Sequence, residues 1–367
     1  MPTVADLFDD LTIGAVRAPN RVLMAPLTRM RAPAPQHLPN DLMREYYTQR
    51  ASAGLVISEG TQISPEGQGY ADTPGIHSPE QAAAWRTIND AVHEAGGRIA
   101  AQLWHTGRVN HASLHDGELP VSASQIGSGG STSLRGPDGE LVRAESPVPR
   151  ALRTDEMPRV VDDYRRATAH ARDAGFDLAE IHAAHGYLIH QFLSPTSNHR
   201  DDAYGGSPVE RARLLAEVVD AAAEEWSADR IGVRISPVGS FNGVEDPAGE
   251  ATGLLVAELL AERGVAFLHL SEPDWIGGDA LADGFRERLR ETFPGAIVAA
   301  GNYDLAKAER VLEAGWVDAV AFGRAFLANP DLPRRLRDGL PLNDPDKATF
   351  YGGDRAGYVD YPAYGAA

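Results

Sequence analysis

The sequence predicts an α/β fold, a (β/α)8 TIM barrel, and three observations support this. Eight short apolar runs of strand length recur along the chain, as expected of parallel strands that are buried on both faces. Amphipathic helical patterns separate most of these runs. The 367 residues also match one such barrel, which needs about 250 residues plus insertions. Alternation of this kind favours a closed barrel over an open sheet.

The predicted strands end abruptly in polar or glycine residues. Because the carboxyl ends of all strands meet at one face of a barrel, residues at those ends are expected to converge on one site. In chain order the predicted strands are Arg21–Thr28, Leu55–Gln62, Arg98–His105, Leu178–His185, Ile231–Pro237, Ala266–Ser271, Ala296–Gly301 and Ala319–Arg324.

The helical patterns between the strands carry capping signals at their ends. Ser78 precedes Pro79, and Ser207 precedes Pro208 with Glu210 three residues after the serine, as at helix N-termini. Glycine follows several predicted helix ends, which suits a left-handed cap before the next strand. The predicted helices are Asp41–Ala53, Pro79–Ala95, Thr154–Ala174, Ser207–Trp226, Gly249–Arg263, Asp279–Thr292, Asp304–Ala314 and the short Ala325–Ala328.

We expect residues 1–367 to form a single domain. Residues 106–150 are rich in Gly, Ser and Pro and follow the third strand, so on a barrel they form an excursion from the catalytic face. A linker between two domains is the alternative, but it would split the barrel. Residues 340–367 place tyrosines among glycines and prolines, and we expect this tail to pack back on the body.

Charge and composition exclude several classes of function. The net charge of −18 argues against nucleic acid or anionic lipid as a partner. No run approaches the roughly 20 apolar residues of a membrane span, and Met1–Asp10 lacks a signal-peptide pattern, so a cytoplasmic protein is expected. The chain has no cysteine, which excludes disulfides and thiolate chemistry. Redox chemistry would therefore need a bound organic cofactor or a non-thiolate metal site.

Residues suited to chemistry collect at the predicted strand ends. A single such residue would mean little, but their coincidence on most strands predicts an active site there. They are Thr28, Gly60, Gln102, Trp104, His182, His185, Tyr187, Arg234, Gly323 and Arg324.

Arg234 lies inside an otherwise apolar strand, where a charge is costly unless an acceptor meets it. One interpretation is a salt bridge across the barrel to Glu180. The other is contact with the N1–C2=O edge of a flavin, where a fixed cation stabilises the reduced form.

Glycines follow the last two predicted strands, at the usual phosphate position of such barrels. Gly301 and Gly323 let backbone N–H groups approach a phosphate, and Arg324 could pair with it. As an isolated motif, Gly-Arg is more often a plain turn, but its position after the last strand favours a phosphate contact. No Gly-x-Gly-x-x-Gly follows an early strand, so a nicotinamide would bind only transiently.

His182 and His185 allow three interpretations. A metal pair would need a third ligand, for which His199 or Asp201 could serve. Two ordinary polar loop residues are the second possibility. In the third, both rings donate N–H groups to a substrate oxygen, and Tyr187 offers a proton to a neighbouring carbon.

Several long motifs resemble the Old Yellow Enzyme family of NADH:flavin oxidoreductases, and most of all its bacterial N-ethylmaleimide, pentaerythritol tetranitrate and morphinone reductase group. The similarity covers nearly the whole chain. It rests on Met-Ala-Pro-Leu-Thr-Arg (24–29), Ile-Ser-Glu-Gly (57–60), Gln-Leu-Trp-His-Thr-Gly-Arg (102–108), the stretch from Ala-Gly-Phe-Asp (174–177) through His-Gly-Tyr-Leu (185–188) to Tyr-Gly-Gly-Ser (204–207), Phe-Gly-Arg (322–324) and Phe-Tyr-Gly-Gly (350–353).

The resemblance implies tightly but non-covalently bound FMN. The Thr28 hydroxyl would lie at flavin O4, where a second branch of the family has cysteine. His182 and His185 match the pair that binds the substrate oxygen, and Tyr187 matches the proton donor; some relatives carry asparagine instead of the second histidine. The implied cofactor contacts are Ala25, Pro26, Thr28, Gly60, Gln102, Arg234, Gly301, Gly323 and Arg324, and the implied pocket residues are Tyr70, Trp104, Trp275 and Tyr351.

The resemblance therefore implies an ene-reductase that takes hydride from NADPH or NADH and passes it to an electron-poor alkene, such as an enone, maleimide or nitroalkene. It also implies possible nitrate-ester reduction and a monomer or homodimer. Three other functions are compatible with the residues alone. They are a metal-dependent hydrolase built on the two histidines, a flavin-dependent hydroxy-acid oxidase, and a non-catalytic binding protein that would leave Arg234 without a purpose.

Overall fold

The computed structural model describes residues 6–365 of the chain. Eight parallel strands form one closed barrel, in which each strand pairs with the next along the chain and the last pairs with the first. The predicted fold class is therefore confirmed. In chain order the strands are β1 Val22–Met24, β2 Val56–Gln62, β3 Ile99–Trp104, β4 Leu178–Ala183, β5 Ile231–Ile235, β6 Phe267–Ser271, β7 Ala296–Ala300 and β8 Ala319–Phe322.

Helices surround the barrel and pack their apolar faces on it. Buried Val, Ile, Leu and Ala of the strands meet buried side chains of the helices in one continuous core. The helices are α1 Asp41–Thr48, α2 Pro79–Glu94, α3 Met157–Asp173, α4 Leu188–Leu193, α5 Pro208–Arg211, α6 Arg213–Glu225, α7 Gly249–Glu262, α8 Asp283–Thr292, α9 Leu305–Glu313, α10 Arg324–Ala328 and α11 Leu332–Arg337.

Several predicted boundaries differ from the structure. The strand predicted over Arg21–Thr28 ends at Met24, and the strand predicted over Leu178–His185 ends at Ala183. The helix predicted over Ser207–Trp226 is interrupted at Ala212. Helix α4 was not predicted, because its six residues are all buried and give no amphipathic pattern. Both strands end before a predicted site residue, Thr28 in the first case and His185 in the second.

The barrel carries additions at both ends. A hairpin of Leu11–Ile13 and Val16–Ala18 packs its buried side chains on the amino-terminal layer of the barrel core. Within residues 106–150 an antiparallel hairpin pairs Ser131–Arg135 with Leu141–Glu145. The backbone N–H of Ala71 donates to the carbonyl of Ser133, which ties this hairpin to the segment after β2.

The tail contacts the barrel through an arginine and tyrosine cluster. The Arg29 guanidinium donates to the carbonyls of Phe350 and Gly357, each at 2.8 Å. Tyr358 stacks on Tyr46 with 4.1 Å between ring centroids. These contacts hold residues 350–358 against the segment that follows β1 and against helix α1. Residues 1–5 and 366–367, which belong to the predicted single domain and tail, lie outside the described residues.

None of the helices in the described part of the chain combines the length and apolarity needed to cross a membrane.

Candidate active site

A cavity of about 400 Å³ opens at the carboxyl ends of the barrel strands. Its volume is within the range of about 300–1,000 Å³ that is typical of ligand pockets. Fourteen residues singled out in the sequence line it, namely Ala25, Pro26, Thr28, Gln102, Trp104, His182, His185, Tyr187, Arg234, Trp275, Gly301, Gly323, Arg324 and Tyr351. The convergence expected of the strand ends is present in the structure.

Gly60 and Tyr70 do not line the cavity but support one of its walls. A Cβ on Gly60 would lie 2.5 Å from Cε3 of Trp104, so only glycine lets the indole pack there. Tyr70 stacks on the same indole with 5.5 Å between ring centroids. Its hydroxyl lies 3.1 Å from the hydroxyl of Tyr187. Both residues therefore act on the cavity through Trp104 and Tyr187.

His182 presents one particular ring nitrogen to the cavity. The ring is buried, and its Nδ1 accepts a hydrogen bond of 3.2 Å from the backbone N–H of Ala184. Burial, together with the positive charge of Arg234, holds the pKa of His182 well below its usual value. The imidazole is therefore neutral at pH 7 and carries its proton on Nε2, which makes Nε2–H a hydrogen-bond donor.

His185 is held by its backbone as well as by its ring. Its φ angle of +57° lies in the left-handed region. The backbone N–H donates to Ser236 Oγ at 2.8 Å, and the carbonyl accepts from Asn242 Nδ2 at 2.9 Å. Burial and Arg234 lower the pKa of this histidine too, so its ring is neutral. The two histidine rings meet edge to face with 5.2 Å between centroids.

The described residues offer His182 and His185 no third metal ligand. Within residues 6–365 no group of three or more His, Cys, Asp or Glu side chains is placed to hold a metal ion. His199 and Asp201, which could have supplied a third ligand, are not among the residues that line the cavity.

Tyr187 completes this wall of the cavity. Its ring stands edge-on to Trp104 at 4.9 Å and to His182 at 5.0 Å, measured between centroids. Burial and the neighbouring Tyr70 raise the pKa of Tyr187 well above its usual value. The phenol therefore keeps its proton at neutral pH, as a proton donor must.

Arg234 lies buried at the cavity without a hydrogen-bond partner among the described residues, and its Nε is completely enclosed. The salt bridge to Glu180, one of the two interpretations of Arg234, is absent from the described ion pairs. Glu180 instead accepts from Gln102 Nε2 at 2.7 Å and from His269 Nδ1 at 2.5 Å. Burial lowers the pKa of Arg234 to about 10, so the guanidinium remains charged at pH 7.

This arrangement fits a flavin. A buried, charged guanidinium without a partner requires an acceptor from outside the chain, and the N1–C2=O edge of a flavin supplies one. Because the amide nitrogen of Gln102 is bonded to Glu180, its carbonyl oxygen is left to accept from a ligand N–H. The two side chains therefore present a donor and an acceptor to the same ligand.

The residues predicted to meet a phosphate line the cavity at the ends of β7 and β8. Gly323 precedes helix α10, and the Arg324 guanidinium donates to the carbonyl of Trp275 at 3.1 Å. Beside Gly301, the backbone N–H of Asn302 donates to Asp274 Oδ1 at 2.9 Å. The Arg324 side chain is thus already placed at the cavity by a backbone contact.

Sequence reasoning missed some lining residues, including Leu27, Arg29, Asn302, Tyr303 and Phe350. All five adjoin or lie within segments that were singled out, such as 24–29 and 350–353. Their position beside residues already predicted to line the site was the signal by which they could have been found.

Comparisons with known proteins agree with this geometry. The model of the NADH:flavin oxidoreductase / NADH oxidase family matches residues 6–343. A putative 12-oxophytodienoate reductase 2 from Oryza sativa subsp. japonica is 42% identical over 360 residues, which cover 95% of this chain and 92% of the relative.

Solved structures match the whole fold. Morphinone reductase is 48% identical with a TM-score of 0.96, covering 98% of this chain and 97% of that one. A structure of morphinone reductase in complex with tetrahydroNAD has a TM-score of 0.94. The Old Yellow Enzyme homologue from Zymomonas mobilis is 42% identical with a TM-score of 0.92, covering 98% and 99% of the two chains. This chain is therefore a member of the NADH:flavin oxidoreductase / NADH oxidase family, the Old Yellow Enzyme family that its motifs resemble, and its cofactors are FMN and a nicotinamide hydride donor.

Proposed function

We propose that this protein is an FMN-dependent ene-reductase. It reduces electron-poor alkenes such as enones, maleimides and nitroalkenes, with NADPH or NADH as the hydride donor. The observation that carries the proposal is the wall formed by His182, His185 and Tyr187. It offers two neutral imidazole donors and one protonated phenol to the same cavity. Donors of this kind stabilise charge that develops on a substrate oxygen.

Arg234, Gln102 and Arg324 would hold FMN through side chains, with the Thr28 hydroxyl at flavin O4. Backbone groups at Ala25, Pro26, Gly301 and Gly323 would complete the contacts, and Gly60 would act through Trp104. When bound, FMN supplies the two-electron chemistry, accepting hydride from the nicotinamide and releasing it to the alkene.

The two histidines bind and polarise the substrate. A carbonyl or nitro oxygen accepts from His182 Nε2–H and from a ring N–H of His185. This pulls electron density toward the oxygen and leaves the β-carbon electron-poor, so that hydride adds there. Both rings are neutral and already oriented, so no charged group has to be desolvated when the substrate binds.

Tyr187 then protonates the α-carbon from the phenol, whose proton is retained because its pKa is raised. Trp104, Trp275 and Tyr351 form the apolar walls that hold the alkene, and Tyr70 orients Tyr187. A nitrate ester could occupy the same oxygen site and be reduced with loss of nitrite.

We further propose that the chain acts as one cytoplasmic domain, as a monomer or homodimer, with no nucleic acid or membrane partner. The net charge of −18 supports the last point. The hairpin within 106–150 and the tail beginning at 340 touch each other, since a Cβ on Gly352 would lie 2.6 Å from Cδ1 of Leu141. Because the neighbouring Tyr351 lines the cavity, both would flank its mouth.

Two measurements test the function. The purified protein should show the visible absorption of a flavin, bleach anaerobically with NADPH, and recover its colour when cyclohexenone is added. Recovery with oxygen but not with cyclohexenone would exclude ene-reduction. Bleaching by a hydroxy acid such as lactate would favour a hydroxy-acid oxidase instead.

The double variant H182A/H185A tests the oxygen-binding pair. It should retain FMN but lose most affinity for phenol, which is a stable mimic of a bound substrate oxygen. Unchanged phenol binding in this variant would contradict the assignment.

A further inference from the structure

The Ser271 side chain makes one hydrogen bond among the described residues, and its partner is His185, one of the two histidines that line the cavity. Ser271 is the last residue of β6 and is 1% exposed. Its Oγ lies 2.8 Å from Nε2 of His185. Within residues 6–365 the hydroxyl has no other hydrogen-bond partner.

The direction of this hydrogen bond follows from burial. A serine hydroxyl has one donor and two acceptor sites, and a buried donor left unpaired loses its hydration without compensation. If Oγ accepted from an Nε2–H group, its own O–H would have no acceptor. The O–H must therefore donate to Nε2, and the proton of the neutral His185 ring must be on Nδ1.

This makes the two histidines different donors. His182 has its Nδ1 occupied by the backbone N–H of Ala184 and uses Nε2–H. His185 has its Nε2 occupied by Ser271 and is left with Nδ1–H, which has no partner in the described part of the chain. The backbone hydrogen bonds of His185 to Ser236 and Asn242 fix the origin of its side chain. The ring itself packs edge to face on His182 and Trp275, which holds it in this orientation.

We infer that Ser271 is a positioning residue that fixes the tautomer of His185, so that Nδ1–H points at the substrate oxygen. The inference rests on the proposed function only for the identity of that oxygen; the tautomer itself is a property of the protein. Without the hydroxyl, the ring would be free to carry its proton on Nε2 and to present a lone pair to the oxygen it should bind.

The tautomer can be observed directly in the holoenzyme. Two-bond 15N–1H correlation spectra of protein labelled with 15N-histidine distinguish Nδ1–H from Nε2–H rings, and comparison with H185N assigns the signals of His185. We expect Nδ1–H for His185 in the wild type and a shift toward Nε2–H in S271A. The Nε2–H tautomer of His182 should be unchanged in both and serves as the internal control. An Nε2–H ring at 185 in the wild type, or an unaltered tautomer in S271A, would overturn the inference.

A double-mutant cycle measures the consequence for binding. In S271A the dissociation constant of phenol should rise about three- to tenfold, the loss expected for one neutral hydrogen bond. The H185N side chain keeps a donor near the Nδ1 position and has no atom at the Nε2 position, so Ser271 has nothing to orient. In the H185N background, S271A should therefore change the phenol dissociation constant less than twofold.

S271T, which keeps the hydroxyl, should restore both the Nδ1–H signal and phenol affinity. Equal losses from S271A in the wild-type and H185N backgrounds would show a merely structural effect and reject the positioning role. If the protein failed to reduce any alkene, the spectra would still decide the tautomer, so failure of the proposed function and failure of this inference remain distinguishable.

Discussion

Tyr187 and Tyr70 meet hydroxyl to hydroxyl, with 3.1 Å between the oxygen atoms. Only one of the two protons can lie between the oxygens. If Tyr70 donates, Tyr187 has its own proton free for the cavity, whereas the reverse arrangement would tie up the proposed acid. Tyr70 packs flat on Trp104, which fixes where its hydroxyl points. The proton-donor role proposed for Tyr187 therefore requires that Tyr70 donates in this pair.

Replacing Tyr187 by phenylalanine should slow the step in which the alkene is reduced. General acids contribute about 100-fold or more, and we expect a loss near that lower bound in Y187F. Reduction by NADPH should be unaffected, because it needs no proton from this residue. Stopped-flow absorbance of each half-reaction separates the two. Y70F, which keeps the acid but removes its partner, should lose less; a fully active Y187F would leave Tyr187 only an orienting role.

Arg234 and Glu180 should shift the FMN reduction potential in opposite directions. R234M removes the cation and should lower the potential, while E180Q removes a buried anion and should raise it. We expect about 30–60 mV for R234M, since a hydrogen bond to a charged group contributes about 1.5–3 kcal/mol and 30 mV corresponds to about 1.4 kcal/mol in a two-electron couple. Dye-coupled redox titration measures both variants. Shifts of the same sign would contradict this electrostatic account.

Arg324 should contribute to FMN affinity through the phosphate alone. In R324A the dissociation constant of FMN should rise about 10- to 100-fold, as expected for a lost charge-assisted contact. Riboflavin has the same ring system without the phosphate, so its affinity for R324A and the wild type should agree within about twofold. Fluorescence quenching of the apoprotein by each flavin gives both constants. An equal loss for riboflavin would place Arg324 at the ring instead.

Buried neutral histidines should make the protein less stable in mild acid. Burial lowers the pKa of His105 to about 3 and that of His190 to about 4. The unfolded chain takes up these protons near pH 6.5 while the folded protein does not, so the free energy of unfolding falls as the pH drops from about 6.5 to about 4. Each histidine contributes up to about 1.4 kcal/mol per pH unit across that window.

Urea unfolding between pH 4.5 and 7.5 measures this dependence. H105N should reduce the slope, because it removes one of the two buried histidines. A slope in H105N equal to that of the wild type would show that other groups cause the acid sensitivity.

The barrel was predictable because its strands are buried on both faces and read as continuous apolar runs. Their ends were not, because Thr28 and His185 lie beyond the last ladder hydrogen bonds while continuing the sequence pattern of the strand. Arg234 was identifiable as a charge in an apolar run. The Glu180–His269 contact was not, because it joins two strands that are not adjacent in the barrel, β4 and β6, through a side-chain geometry that no local pattern encodes.

Ser271 shows the same limit, since a serine at the end of a strand gives no signal by itself. Its role depends on the ring nitrogen that lies beside it. Long-range pairs of this kind follow from the fold and not from the spacing of residues along the chain.

The left-handed backbone of His185 restricts how this pocket can be re-engineered. Asparagine, aspartate and glycine adopt a φ of +57° at little cost, whereas Val, Ile and Thr would strain the turn. In a saturation library at position 185, correctly folded clones should therefore be enriched in asparagine, aspartate and glycine. Substrate scope is better diversified at Trp275 or Tyr351, where the side chain can change without forcing the backbone out of its conformation.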